Sequence, residues 1–413
     1  MNRFIGKNDY IMALDIGSTK ICCLIAKIHT DGRMQIVADG YAQSKGITNG
    51  NITQINDAVP AIQDAICSAE NKIDKRIHNV VVNVSSPAMK SNFATATIEM
   101  DDAHTITSSD VRRLIDTAVT SIDLKGQEII HQIPLSFVLD GQGNITQPVG
   151  LSGNKLSVTM LIISVPLGQI KMLSAALERC HLNVVGKVAT PYASALAVLS
   201  EEEKQMGATV LDLGGDNTGI AIFSNGYLRY ADNLKLGGSL ITKDLSQILK
   251  IPFFQAEKIK TLYGRAFLSP QDSDVEIPDT TSADDENPIL QSHIIEIMIP
   301  RIEEMIELTQ SRLSYLEGSD FATRYILMTG GSSQIRGLSE KTASILQARV
   351  KIAKPLTLNE KIDTSLANSF ACATGLLRYF ANRRIQMEEK QTNTNINGNG
   401  YIKRIIRWLK QSF

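Results

Sequence analysis

Nothing in this 413-residue sequence approaches the eighteen or so uninterrupted apolar residues that a membrane-spanning helix needs. Its first residues, Met1 to Lys7, carry charge and no apolar run before Asp9, which predicts no secretory signal. The five cysteines, Cys22, Cys23, Cys67, Cys180 and Cys372, are odd in number and lack C-x-x-C spacing. Neither a disulfide framework nor a zinc site is expected of them, and they read as small buried hydrophobes in a reducing cytosol. Charge of one sign is not in excess either. Lys and Arg number 42 against 43 Asp and Glu, which excludes a general affinity for nucleic acid and requires any electrostatic targeting to be local. No G-x-x-x-x-G-K-[ST] segment occurs, which argues against a P-loop, and no G-x-G-x-x-G run leads from a strand into a helix. The H-E-x-x-H zinc and G-x-S-x-G hydrolase signatures are missing as well.

What the chain does contain is a repeated turn. Tyr10 to Leu14 is an apolar run of strand length, followed by Asp15-Ile-Gly17-Ser18-Thr19-Lys20 and a second strand-like run from Ile21 to Ile28. The same order returns at Thr209-Val-Leu-Asp212-Leu-Gly214-Gly215-Asp216-Asn217-Thr-Gly219, followed by Ile220 to Phe223, with the two aspartates 212 − 15 = 197 positions apart. A spaced duplication in a chain too long for one ordinary core predicts two related lobes.

Between the repeats, the pattern predicts a helix over Ile55 to Ala69, a strand over Asn79 to Val84, and a separate insert from Ser85 to Val165 that contains the very apolar Val158 to Val165. Helical periodicity follows from Leu167 to Cys180, then a strand at Val184 to Val188. Pro191 to Leu199 reads as an Ala-rich, close-packing helix. Residues Gln271 to Pro288 are acidic and read as an exposed loop. Helix resumes over Ile289 to Leu316, interrupted by Pro300, and Tyr325 to Ser333 repeats the strand-to-glycine transition, this time entering a helix. A last helix is expected over Asn368 to Ala381, and the polar segment 385–400 reads as a flexible tether.

A triphosphate bound with Mg2+ needs backbone amides that approach closely, hence glycine, and carboxylates that hold the hydrated metal. Both turns supply that pair. Asp15 with Gly17, Ser18 and Thr19 would face Asp212 with Gly214 and Gly215 across a cleft, and Gly330 and Gly331 would let backbone approach an adenosine. One D-x-G turn alone is most often a simple hairpin connection, whereas three glycine turns in this order are specific.

On these two turns, on Thr329-Gly330-Gly331-Ser332 and on the two connecting helices, the sequence resembles the superfamily of actin, sugar kinases and DnaK-type chaperones. Within it the chain resembles the FtsA family of bacterial cell-division proteins, through Ile130-His-Gln-Ile-Pro134, Pro148-Val-Gly-Leu-Ser-Gly153, Leu177-Glu-Arg-Cys180 and Tyr401-Ile-Lys-Arg404. The resemblance implies an α/β, actin-like (ribonuclease H-like, duplicated) two-lobed fold with an inserted α+β domain and a C-terminal amphipathic helix. The lobes would be 1–84 with 166–206 and 207–236 with 302–384, the insert 85–165, and the subdomain above the cleft 237–301. ATP and Mg2+ are the implied cofactors. Asp15 and Asp212 would serve the metal, and Lys20, Asp216, Asn217, Gly238, Glu257, Lys260 and Ser332 would join the turn residues around the nucleotide. The spacing puts Glu257 and Lys260 on one helix face, which without the resemblance reads as a solvated salt-bridged face. Where relatives read Gly-Gly-Gly-Thr this chain reads Gly214-Gly215-Asp216-Asn217, and a carboxylate aimed at the γ-phosphate predicts slow or absent hydrolysis.

The last thirteen residues form an amphipathic helical pattern. Ile402, Ile405, Ile406, Leu409 and Phe413 share one face, Lys403, Arg404, Arg407 and Lys410 the other, and Tyr401 and Trp408 flank the boundary. A helix lying on anionic lipid is expected. The resemblance then implies an adaptor that anchors FtsZ filaments to the cytoplasmic face of the inner membrane at the septum, self-assembles, and helps recruit later division proteins. A sugar kinase would need a general-base aspartate beside a substrate hydroxyl, and none is evident beyond the turns. A pilus-assembly or chaperone ATPase of the same fold would lack the basic C-terminal helix.

Overall fold

The β-branched, apolar character of the strand segments builds two five-stranded sheets, a four-stranded sheet and a two-stranded ribbon among the described residues, and the largest core runs from the first sheet onto one face of the second. A computed structural model describes residues 9–29, 33–101, 104–269, 275–277, 289–314, 325–356 and 368–392, except the side chains of 144 and 385–392. The acidic loop over 271–288, apart from 275–277, lies outside the described residues, as do the tether beyond Thr392 and the amphipathic segment 401–413.

The chain opens with β1 (Tyr10–Ile16), β2 (Lys20–Ile28), β3 (Met34–Gln43), the short β4 (Ile47–Thr48) and β5 (Asn51–Ile52), helix α1 (Ile55–Glu70) and β6 (Asn79–Val84). The insert follows as β7 (Lys90–Glu99), α2 (Ser108–Thr120), β8 (Gln127–Leu139), β9 (Gln142–Ile145) and β10 (Lys155–Pro166). Then α3 (Leu167–Arg179), β11 (Asn183–Ala189) and α4 (Thr190–Val198) return to the first lobe. Helix α5 (Glu201–Met206) follows, and then β12 (Ala208–Leu213), β13 (Thr218–Ser224), β14 (Tyr227–Leu234), α6 (Gly238–Ile248), α7 (Phe253–Tyr263), α8 (Gln291–Ser314), β15 (Tyr325–Thr329), α9 (Leu338–Leu346) and β16 (Arg349–Ile352) build the second lobe. Helix α10 (Ala371–Thr392) crosses back over the first lobe and runs past the Ala381 end expected from its pattern, so residues 385–392, read from the sequence as the start of a flexible tether, are helical.

The duplication inferred from the turns is a duplication of topology. The first sheet is ordered β11-β6-β1-β2-β3 and the second β16-β15-β12-β13-β14. In each, the strand carrying the aspartate pairs antiparallel with the next strand in sequence and parallel with a strand arriving later. Asp15 sits opposite Cys22 and Asp212 opposite Gly219, one pair from the turn in both cases.

The insert shares its packing with the first lobe, which explains the Val158 to Val165 run. Side chains alternate across a strand, so Leu156, Val158, Met160 and Ile162 enter the insert's own core with Val111 and Leu114 of α2. Leu161, Ile163 and Val165 enter the core of the first lobe. Both faces are buried, and the alternation of a one-sided strand disappears.

Pro300 does not interrupt α8, contrary to expectation. It is exposed, so water can take the carbonyl that its ring leaves unbonded. Ile294, Ile295, Met298, Ile302, Met305 and Ile306 form a buried stripe that continues across it. The helix also runs through the 301/302 boundary drawn from the sequence.

His131, in the Ile130 to Pro134 motif, joins insert, first lobe and α10. Its Nε2 accepts the Ala189 amide at 3.0 Å, and its ring meets Tyr192 and Tyr379 edge-on. Burial, and secondarily the Arg383 charge, depress its pKa from 6.5 to about 3. A histidine buried neutral stabilises the fold fully above its unfolded pKa and loses that contribution as pH falls from 6.5 toward 3. The expected loss is about 1.4 kcal/mol per pH unit in that window. Denaturant unfolding at pH 6.5 and 5 should therefore show a steeper fall for the wild type than for His131→Gln. Equal slopes would contradict it.

Candidate nucleotide site

The duplicated topology brings both turns to one cavity of about 320 Å³ between the lobes. Gly17 donates its amide to the Lys20 carbonyl at 3.1 Å, and Gly214 to that of Asn217 at 3.0 Å. A Cβ on Gly17 would stand 2.8 Å from the Lys20 oxygen, and one on Gly214 2.9 Å from that of Asn217, so both turns need glycine at the same place. Among the described residues, the amides of Ser18, Thr19, Gly215 and Asp216 have no acceptor and are available to a ligand.

Of the sixteen residues expected around a nucleotide, all but Gly238 line this cavity. Gly238 acts one layer behind, where its amide donates to the Gly214 carbonyl at 3.1 Å and its carbonyl accepts from Lys260 Nζ, also at 3.1 Å. Ser332 Oγ donates to the same Gly214 carbonyl at 3.0 Å, tying the third glycine segment to the second turn.

The two connecting helices hold the two carboxylates. Ser194 Oγ on α4 donates to Asp212 Oδ2 at 2.5 Å, and the Cys372 thiol on α10 is hydrogen-bonded to Asp15. Burial, then the neighbouring Asp212, raises the Asp15 pKa to about 6, against the opposing effects of the Cys372 bond and the Lys20 charge. Burial also raises that of Asp212, with Ser194 and Lys20 opposing. Two carboxylates that resist ionising beside each other form a place for a cation. Cys22, Cys23 and Cys372 are buried thiols, as expected, while Cys67 and Cys180 are half-buried and all five are free.

Lys260 is buried, and its ammonium bonds Gly238 O, Thr242 Oγ1 and Glu257 Oε2, the last at 2.7 Å. Three protons are thereby used within the protein, so Lys260 gives the cavity wall charge and rigidity, not a free donor. Burial lowers its pKa while Glu257 opposes that shift. The solvated ion pair that spacing alone suggests is therefore replaced by a pair with a buried lysine and a half-exposed glutamate.

The sequence reading missed Asn83, Thr190, Asn233 and Asn368, which also line the cavity. Asn83 clamps the first turn, accepting from the Ile16 amide at 2.8 Å and donating to Thr190 Oγ1 at 3.1 Å. Asn217 Oδ1, Asn233 Nδ2 and Asn368 Oδ1 are buried without a protein partner. Such orphans are costly unless something else satisfies them: the Asn233 nitrogen and the free turn amides can donate to phosphate oxygens, while the two amide oxygens call for a donor such as a water or a sugar hydroxyl, and the paired aspartates for a cation.

The comparisons agree with this architecture. The family described as cell division protein FtsA matches 209–375, and the SHS2 domain inserted in FtsA matches 88–164. The chain is 31% identical to the cell division protein FtsA of Agrobacterium fabrum, over 98% of this chain and 96% of that one. It is equally identical to that of Neisseria meningitidis serogroup B, over 98% and 99%, and 27% identical to that of Escherichia coli K12, over 98% of both. Among solved structures it is similar to a PilM-PilN type IV pilus biogenesis complex, with a TM-score of 0.65 at 15% identity over 91% of this chain and 98% of that one. MreB 5 of Spiroplasma citri bound to AMPPNP gives 0.57 at 14% identity, over 93% and 100%. The fold is actin-like, and the chain belongs to the FtsA family of cell-division proteins.

Proposed function

We propose that this protein is an ATP-binding adaptor that anchors FtsZ filaments to the cytoplasmic face of the inner membrane, self-associates there, and helps recruit later division proteins. The observation that carries the nucleotide part is the convergence of Asp15 and Asp212, each beside its own glycine turn, on one cavity. Asp15 and Asp212 would hold Mg2+, mostly through water. The amides of Ser18, Thr19, Gly215 and Asp216 would take phosphate oxygens, while Gly330 and Gly331 admit the nucleoside. A bound cation would neutralise phosphate charge beside the two aspartates. The chain's own part is to bind, orient and close. Asp216 lines the cavity next to the second glycine turn, where the amides would take phosphate, which supports slow or absent hydrolysis.

The membrane part rests on the sequence of 401–413. Each basic residue contributes about 1 kcal/mol beside an anionic surface, so one such helix binds reversibly. Self-association multiplies tethers and converts reversible attachment into avidity. The test is flotation of the full-length protein with vesicles containing phosphatidylglycerol, with and without MgATP, followed by addition of FtsZ. We expect flotation of wild type together with FtsZ, and loss of both after deletion of 401–413. Unchanged flotation of the deletion would overturn the tether, and flotation without FtsZ recruitment would overturn the anchoring role.

A further inference from the structure

The equivalence of the two turns places Asp216 where the first turn carries Thr19, and the structure gives its carboxylate a specific partner. Asp216 Oδ2 accepts the Asn49 amide at 3.0 Å, across the cleft from the second lobe to the first. The next amide, that of Gly50, donates to Ser18 Oγ at 2.9 Å. Asn49 and Gly50 both have positive φ, 49° and 75°, and this Asn-Gly turn aims two consecutive amides at the cleft. Gly50, Asn83 and Ser85 line the same cavity as Asp216, and Asn217 Nδ2, next to Asp216 in the second turn, donates to Ser85 Oγ at 3.2 Å, a second bond between the lobes. Consecutive amides form a small anion-binding concavity. Here the Asn49 amide already holds an anion supplied by the protein, while the Gly50 amide holds the neutral Ser18 hydroxyl.

Charge points the same way. Asp15, Asp212, Asp216 and Glu257 line the cavity against Lys20 and Lys260, and Lys260 is paired with Glu257. A cation at Asp15 and Asp212 would offset those two, and Asp216 would remain as a negative charge.

We propose that Asp216 is a selectivity residue of this site. Its carboxylate takes the place at the Asn49 amide that a terminal phosphate would need, so the closed site holds a nucleoside diphosphate more tightly than the triphosphate. This rests on the nucleotide reading above and deepens it. Triphosphate binding then requires the bond between Asp216 and Asn49 to open, which couples the terminal phosphate to the separation of the lobes.

The experiment is calorimetric titration of the full-length protein with ADP and with ATP, each in excess Mg2+, for wild type, Asp216→Asn and Asp216→Gly. Asparagine keeps an oxygen for the Asn49 amide and removes only the charge, so it preserves the closed fold. Wild type is expected to prefer ADP by about tenfold or more, an effect typical of one like-charge contact near a protein surface. Asp216→Gly, which vacates the Asn49 amide, should gain that factor for ATP, Asp216→Asn, which loses the charge but keeps an oxygen there, should gain a smaller part of it, and both should change little for ADP. Equal affinities in wild type would overturn the proposal. So would a fall in ATP affinity in Asp216→Asn, which would make the carboxylate a partner of the metal-bound triphosphate. Binding of neither nucleotide to any of the three proteins, with matching melting temperatures, would sink the nucleotide reading, and the selectivity inference would fall with it.

Discussion

Replacing Gly375 by valine is expected to abolish the folded protein, and replacing it by alanine to cost about 3 kcal/mol or more. Gly375 lies where α10 crosses α4, and a Cβ built there would stand 1.7 Å from the Ala193 carbonyl oxygen and 2.4 Å from its carbon. Both obstructing atoms are backbone, so no side chain can swing aside. The helices would have to part, and α4 is buried from Pro191 to Val198. Alanine gains about 1 kcal/mol over glycine in a helix, too little to offset a backbone overlap of this depth. The crossing also controls the site. Ser194, which bonds Asp212, is next to Ala193, and Cys372, which bonds Asp15, is one turn before Gly375. Guanidinium unfolding of Gly375→Ala should show a lowered midpoint with an unchanged slope. Gly168→Ala, at a glycine of α3 with nothing within 4 Å of its Cβ, should be neutral or slightly stabilising. Equal midpoints for Gly375→Ala and wild type would refute the argument.

The contrast between those two glycines marks how far the sequence could be read. Local features were legible because they rest on neighbouring residues. The strand, turn and strand around Asp15 and Asp212 are announced by apolar runs and Gly, and the Asn79 to Val84 strand matches its expected bounds. Pairings over distance were not legible. Nothing in the spacing of Ser194 and Asp212, or of Cys372 and Asp15, marks them as partners, since the fold alone brings them together. Asn83 did carry a signal, a lone amide inside the Val80 to Val84 run, because a polar residue in a fully buried strand needs a partner. Asn49-Gly50 likewise reads as a turn, but its bond to Asp216 depends on how the lobes close. Pro300 misleads for the opposite reason. Local propensity predicts a break there, and packing of the α8 stripe overrides it.

The third glycine segment separates folding from binding, and the two adjacent glycines should respond differently. Gly330 has φ of +86°, and a Cβ there would lie 2.5 Å from Asp212 Oδ1 and 2.6 Å from the Leu213 carbonyl oxygen. Gly330→Ala therefore combines backbone strain of about 1–3 kcal/mol, because φ +86° with ψ 166° is essentially open to glycine alone, with a clash of about 1–3 kcal/mol. The second term acts on the carboxylate expected to face the cation. Gly331 has no positive φ, and the nearest atom to its Cβ is Ser369 Oγ at 3.9 Å, so alanine fits the ligand-free chain. The added methyl would instead occupy space at the cavity wall where a nucleoside needs close backbone approach. Gly331→Ala should then melt with wild type while its affinity for ADP falls by about tenfold or more, the scale of one obstructed contact. Gly330→Ala should lose both stability and binding. Thermal melts with and without ADP distinguish the cases. The nucleotide raises the midpoint of wild type, and by mass action that rise shrinks for Gly331→Ala in proportion to the lost affinity. An undiminished rise in Gly331→Ala would place the nucleoside elsewhere in the cleft, and an undisturbed melt of Gly330→Ala would show that the Asp212 turn does not depend on the close approach of Gly330.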